Sequence, residues 1–304
     1  MTRHFLTLRD CSGDELERII ARAIALKKLR AEGRQYAPLQ HRTLALIFDK
    51  SSTRTRVSFE AGMTQLGGVA MFLSPNDLQL GRGEPIEDTA RVISRMVDVV
   101  AIRTHEHSKV ERFATHSTVP VINALTDRHH PCQLLADIQT YVERRGSIRG
   151  RVAAWVGDGN NVCHSWIDAA ALFGFTLRIA TPDGYAPDQN IVERAAGHVE
   201  RAASFDEAIT GADIVITDTW ASMGQEQEKN QRIRVFEPFR VDSRAMRLAT
   251  PGALFMHCLP AYRGMEVTTD VIDGPQSVVW DEAENRLHAQ KALLEFLLAP
   301  TLNG

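Results

Sequence analysis

Short runs of β-branched and apolar residues recur along this chain with helix-length segments between them, and that alternation limits its fold more than any other feature. The runs cover residues 44–48, 69–73, 97–102, 119–123, 152–156, 176–180, 212–217 and 253–257. Near-continuous apolar runs mark strands buried on both faces, so the pattern predicts an α/β protein with parallel sheets covered by helices. At 304 residues the chain has room for two such domains. A helical pattern over 132–145 ends in the polar, glycine-containing stretch 146–150, which is the best candidate boundary. The expected architecture is two doubly wound parallel-sheet domains of similar build, 1–147 and 148–284, with the active site in the cleft between them. An amphipathic helix is expected over 281–298.

Directly after the first run stands Ser51-Ser52-Thr53-Arg54-Thr55-Arg56, four hydroxyls and two guanidinium groups in six residues. A helix is expected to start near Val57. A strand that delivers hydroxyls and free backbone N–H groups to a helix N-terminus makes an anion site, and arginine forks strengthen the same field. A single Ser-Thr pair would read as an ordinary helix cap. The density of polar groups here points instead to a small phosphorylated ligand.

In open α/β sheets functional groups gather at the carboxyl ends of strands, and further clusters fall there. Arg103 follows the third run, and His129-His130-Pro131-Cys132-Gln133 follows the fourth. Gly157-Asp158-Gly159-Asn160-Asn161 follows the fifth, but Val162 stands where a dinucleotide fingerprint needs its third glycine, so a nicotinamide cofactor is not expected. Asp218 follows the run 212–217 and leads through Ser222, Met223 and Gly224 into a polar stretch, 225–234, long enough to act as a lid. His257-Cys258-Leu259-Pro260 closes the last run. Neighbours on a strand point to opposite faces, which disfavours an activated Cys-His nucleophile, and the histidine and cysteine spacings match no standard metal site.

Composition narrows the partners. With 35 basic and 38 acidic residues the formal net charge is -3, so no global field favours nucleic acid or an anionic membrane. No apolar run approaches the length of a membrane span, and the first residues lack a signal-peptide core. Cys11, Cys132, Cys163 and Cys258 form no CxxC pair and suit a reducing cytoplasm.

In their order and spacing, Ser52-Thr53-Arg54-Thr55-Arg56, His130-Pro131-Cys132-Gln133, Asp218-x-x-x-Ser222-Met223-Gly224 and His257-Cys258-Leu259-Pro260 resemble the motif set of the aspartate/ornithine carbamoyltransferase superfamily, and within it the ornithine branch. The resemblance runs over nearly the whole chain. It implies transfer of the carbamoyl group of carbamoyl phosphate to the side-chain amine of L-ornithine, giving L-citrulline and phosphate in arginine biosynthesis. It also implies a cytoplasmic homotrimer with no cofactor and no metal, and a closing segment, 285–304, that packs back on the first domain.

Carried over by residue, the resemblance gives Ser52, Thr53, Arg54 and Thr55 to the phosphate and Arg103 to both phosphate and carbonyl oxygen. His130 would donate to that oxygen, Gln133 would accept from the carbamoyl amide, and Arg286 would reach the carbamoyl group. Gln79 would reach the phosphate site of a neighbouring subunit. Asn161, Asp218, Ser222 and Met223 would bind the α-amino and carboxylate groups of ornithine. Cys258 and Leu259 would lie beside the reacting amine, with Cys258 or Asp218 accepting its proton. Aspartate as the second substrate is disfavoured, because the Asp218 loop suits a cationic α-amino group and the segment 79–84 carries no lysine.

Overall fold

A computed structural model of the chain describes residues 2–74, 83–220 and 229–299. They divide into two compact units, one drawn from Met1–Gln139 with Glu284–Gly304 and the other from Thr140–Ala283. In order the chain forms α1 (Gly13–Ala31), β1 (Thr43–Phe48), α2 (Thr53–Gln65), β2 (Val69–Leu73), α3 (Ile86–Ile93), β3 (Val99–Arg103), α4 (His107–His116), β4 (Val121–Leu125) and α5 (Pro131–Arg145). It continues through β5 (Val152–Val156), α6 (Asn161–Phe173), β6 (Thr176–Ala180), α7 (Gln189–Glu193), β7 (Val199–Arg201), α8 (Phe205–Ile209) and β8 (Ile214–Thr217). The remaining elements are α9 (Lys229–Phe236), α10 (Ser243–Leu248), β9 (Leu254–His257), α11 (Thr269–Ile272) and α12 (Val279–Leu298). No helix among the described residues is long and apolar enough to cross a membrane.

The first unit holds a four-stranded parallel sheet in the order β2-β1-β3-β4. Every residue of β3 is buried, as a strand covered on both faces requires. Ala45, Ile47, Val100, Ile102 and Val121 pack there with Ala90 of α3 and Val110 and Phe113 of α4. Phe5 extends the sheet beside β4 through an isolated parallel bridge to Ile122. The second unit holds a five-stranded parallel sheet, β7-β6-β5-β8-β9. Its core joins Ala154, Val156, Val215 and Phe255 to apolar residues of α8, α10 and α11.

Strand order reverses between β1 and β3 in the first unit and between β5 and β8 in the second. Connections leave the sheet in opposite directions at such a point, which opens a crevice at the carboxyl ends of the strands. The residues that follow β1 and β3, and those that follow β5 and β8, are therefore the ones placed for binding.

Several elements differ from the sequence expectation. The second helix begins at Thr53, not near Val57, because Ser52 caps it: its Oγ accepts from Thr55 N at 3.3 Å. Strand β4 lies two residues further along than its apolar run suggests, and β3 starts two residues later and ends one residue later, which makes Arg103 its last residue. Strand β7 was not expected. It is a three-residue edge strand whose Glu200 and Arg201 face solvent and hide its period. Part of the stretch expected as a lid is helix α9, and residues 221–228 lie outside the described residues.

Candidate active site

At the switch point of the first sheet, the early start of α2 puts the hydroxyls of Ser52, Thr53 and Thr55 and the guanidinium of Arg54 on its cap and first turn. There the unpaired backbone N–H groups and the helix dipole favour an anion. Ser52 Oγ also donates to Thr55 Oγ1 at 3.0 Å. Arg103 enters from β3 and is buried. Its carbonyl accepts from Asp49 N at 2.8 Å, while Thr104 donates its hydroxyl to Asp49 Oδ2 at 2.6 Å and its N–H to Leu125 O at 3.1 Å. These bonds tie the ends of β1, β3 and β4 together.

Arg286 of α12, also buried, donates to Gln133 Oε1 at 2.6 Å and to Thr55 Oγ1 at 3.1 Å. The turn before α5 is closed by reciprocal bonds: Thr126 N donates to His129 O at 3.0 Å, and His129 N donates to Thr126 Oγ1 at 3.2 Å. It delivers His130 into the interior. Burial, reinforced by the guanidinium charges of Arg286, Arg103 and Arg54, holds the His130 imidazole well below its ordinary pKa, so the ring is neutral. A neutral imidazole still offers one N–H donor. The structure thus brings Ser52, Arg54, Thr55, Arg103, His130, Gln133 and Arg286 into one cationic, donor-rich site. Gln79 lies outside the described residues.

The second switch point has the opposite character. Asp218, just beyond β8, is buried and accepts from Asn160 Nδ2 at 2.7 Å, from Thr219 N at 2.7 Å and from Cys258 Sγ at 3.1 Å. Asn160 also caps α6, its Oδ1 accepting from Val162 N at 3.0 Å and Cys163 N at 3.1 Å. Asn161 opens the first turn of α6. Ser222 and Met223 lie outside the described residues. Of the two glycines that resembled a dinucleotide fingerprint, Gly159 serves packing: a Cβ there would fall 2.2 Å from Pro187 N.

The turn after β9 is set by His257. Leu259, at φ 57°, donates its N–H to His257 Nδ1 at 2.9 Å, which makes that nitrogen the acceptor and leaves Nε2 as the donor to Glu266 Oε1 at 3.2 Å. Asp218, His257 and Cys258 do bring potential ligand atoms within 4.8 Å of one another. Both imidazole nitrogens are already engaged, so the trio fits a hydrogen-bonded turn better than a metal site.

Sequence reasoning missed several supporting residues. Arg232 of α9 is buried, donates to Trp220 O and Asp158 Oδ2, and stacks over the rings of Tyr185 and Phe236. Even so, desolvation keeps the pKa of Asp158 raised. Asn160 stood in the sequence only as part of the Gly157–Asn161 turn, and Asp137 only as one residue of the helical pattern over 132–145. No local pattern marks an interior arginine or aspartate.

The described residues thus form a parallel α/β protein with a cationic, donor-rich site at one switch point and a carboxylate–thiol pair at the other, the layout of a two-substrate α/β enzyme. Residues 3–143 match the family model described as the aspartate/ornithine carbamoyltransferase carbamoyl-P binding domain, and residues 149–297 match the Asp/Orn binding domain of the same family. The chain belongs to the aspartate/ornithine carbamoyltransferase family. It is 62% identical over 295 residues to the ornithine carbamoyltransferase of Nitrosococcus oceani, covering 97% of each chain. It is 60% identical over 297 residues to that of Hydrogenovibrio crunogenus, covering 98% of each. Among solved structures, ornithine carbamoyltransferase from Pyrococcus furiosus matches with a TM-score of 0.93 at 48% identity and 97% coverage of each chain. The Burkholderia thailandensis enzyme matches at 0.91 and 54% identity, covering 98% of this chain and 99% of that one.

Proposed function

We propose that this chain transfers the carbamoyl group of carbamoyl phosphate to the side-chain amine of L-ornithine, giving L-citrulline and phosphate, the ornithine carbamoyltransferase reaction of arginine biosynthesis. The observation that carries this reading is the opposite chemistry of the two switch points, one built to hold an anion and the other to orient an amine. Ser52, Thr53, Arg54 and Thr55 hold the phosphate, and Arg103 spans phosphate and carbonyl oxygen. Neutral His130 and Thr55 donate to that oxygen, Gln133 accepts from the carbamoyl amide, and Arg286 steadies Gln133 and Thr55.

Ornithine is bound through its α-amino and carboxylate groups by Asn161, Asp218, Ser222 and Met223, with its side-chain amine beside Cys258 and Leu259. The amine lone pair forms the new N–C bond on the carbonyl carbon, giving a tetrahedral intermediate. Arg103 and His130 stabilise its oxyanion. As the intermediate collapses, the C–O bond to phosphate breaks and the phosphate leaves with that electron pair toward Arg54 and the hydroxyls.

Starting from the ammonium form, the attacking nitrogen loses two protons, one before attack to free its lone pair and one as the intermediate collapses, which the departing phosphate can take up. Cys258 donates its thiol proton to Asp218, so the pair forms a route from amine to carboxylate. A free aliphatic amine resembles lysine at ~10.4, so holding it neutral at about pH 8 costs about 3 kcal/mol. No electron transfer or metal enters this balance. The assembly is a cytoplasmic homotrimer in which Gln79 reaches a neighbouring phosphate site. Support comes from Val57, Val69 and Met71, which expose apolar surface on α2 and on the edge strand β2, the last described element before Gln79 in the sequence.

The test is to supply carbamoyl phosphate and L-ornithine and measure citrulline and phosphate, with sedimentation to count subunits. One citrulline per phosphate is expected. Phosphate release without citrulline would refute the transfer.

A further inference from the structure

His107 has no part in the motifs that define the site, yet it packs against the turn that delivers His130. It is the first residue of α4 and is buried. Its Nδ1 lies 2.9 Å from Thr126 Oγ1, the hydroxyl that also accepts from His129 N at 3.2 Å. Its ring meets the His129 ring edge-on, with centroids 5.2 Å apart. Its backbone N–H donates to Asp127 Oδ1 at 3.1 Å, and Asp127 N donates back to His105 O at 2.7 Å. Thr126, Asp127 and His129 are thus all held from the start of α4. His130 follows at once and stands before Pro131, which confines its backbone to the extended region. Its imidazole therefore points wherever the turn leaves it.

We infer that His107 is a positioning residue whose neutral ring braces the Thr126–His129 turn and so aims His130 at the carbonyl oxygen of the acyl donor. This rests on the carbamoyl-phosphate reading of the site. A neutral imidazole meets a hydroxyl as donor or as acceptor, so the bond to Thr126 is open to either tautomer. A protonated ring is disfavoured where it stands. It is buried, it opens α4, where the helix dipole repels a cation, and Arg128 of the turn adds positive charge. Against these act Glu111, whose Oε1 lies 3.8 Å from Nε2, together with Asp10 and with Asp127, itself 3.6 Å from His105 Nδ1. His129 is the titratable ring in contact. Burial is the leading cause and holds the His107 pKa below its ordinary value. A proton on the ring draws it outward to water and to the exposed Glu111 carboxylate, away from Thr126 and His129. The bracing is therefore complete above the ordinary histidine value and is lost as pH falls toward the lowered folded one. Its effect is on turnover, because His130 donates most strongly once the carbonyl oxygen becomes an oxyanion, whereas phosphate rests on the first turn of α2.

The test compares the full chain with His107→Phe and His107→Gln, following kcat with both substrates saturating from about pH 7.5 to about pH 5, and inorganic phosphate binding at the upper end. Phenylalanine keeps a ring against His129 and loses the bond to Thr126. Its kcat is expected to fall roughly 5- to 10-fold with phosphate affinity unchanged. Glutamine can still bond to the Thr126 hydroxyl and takes up no proton, so it is expected to keep most of kcat at the upper end. The kcat of the unaltered chain divided by that of His107→Gln should stay constant down to the ordinary histidine value and fall below it. The ratio cancels the titration of the substrates themselves. A residue needed only for folding would lower the melting temperature without this acid-side difference. Should His107→Phe fail to fold, the ratio against His107→Gln carries the test alone. A ratio constant over the whole range, or a parallel loss of kcat and phosphate affinity in His107→Phe, would overturn the assignment. If the unaltered chain forms no citrulline, the functional reading itself is wrong and this inference falls with it.

Discussion

The two switch points are built from the same strand-turn-helix grammar and reach opposite electrostatic results. In the first unit, three arginines and a cap of hydroxyls gather around an imidazole that is kept neutral by burial and by those same guanidiniums. In the second, Asp218 gathers donors: an asparagine amide, a backbone N–H and a thiol. Each site is the charge complement of the substrate proposed for it. The fold supplies two equivalent crevices, and the residues at the strand ends decide what each one holds.

The largest effect is expected at the first site. Replacing Arg54 with glycine removes the cation on the first turn of α2, and kcat/KM for carbamoyl phosphate should fall roughly 10³-fold or more, while thermal unfolding is little changed. Arg54 does not belong to the buried core, so a large drop in melting temperature would show that its role is structural. Next in size is Asp218→Asn, expected to lower kcat/KM for ornithine roughly 10²- to 10³-fold with carbamoyl phosphate affinity intact, which isothermal titration can check. Loss of affinity for both substrates in this variant would break the division of labour between the two units.

The pH behaviour sharpens the same contrast. With saturating carbamoyl phosphate, kcat/KM for ornithine should rise with pH until the side-chain amine titrates, and a flat profile from about pH 6 to 9 would contradict proton removal as part of the barrier. Carbamoyl phosphate affinity should show no inflection near ~6.5, the ordinary histidine value, because His130 takes up no proton there.

The smallest effect is on stability. His4, His107 and His130, all in the first unit, have lowered pKa values, with burial the leading cause in each. The unfolded chain binds protons near pH ~6.5 that these groups refuse when folded. Their contribution is therefore complete above that value and is lost as pH falls through it toward the folded pKa values. The urea midpoint should be lower at pH 5.5 than at pH 7.5, and an unchanged midpoint would contradict this.

Much of this contrast can be read directly from the sequence. Apolar runs marked eight of the nine described strands, because strands covered on both faces need no alternation to be seen and because the edge strand β2 is apolar although Val69 and Met71 are exposed. The exception, β7, lies at a sheet edge with charged residues facing water. The hydroxyl-arginine cluster was legible because anion binding needs many donors within a few residues. Its helical start was not, since four polar residues hide a first turn that only the Ser52 cap reveals. The deeper partners were illegible for two reasons. Asn160 and Arg232 act on neighbours distant in sequence, which leave no spacing to recognise, whereas Asp137 stands one helical turn after Gln133, a spacing that ordinary solvent-facing pairs share.

The most direct measurement is carbamoyl transfer from saturating carbamoyl phosphate to L-ornithine, run beside putrescine, N-acetylornithine and aspartate under identical conditions. A cationic α-amino group held near Asp218 predicts strong preference for ornithine over all three. Equal or faster turnover with aspartate or N-acetylornithine would leave the phosphate site standing and contradict the account of the second.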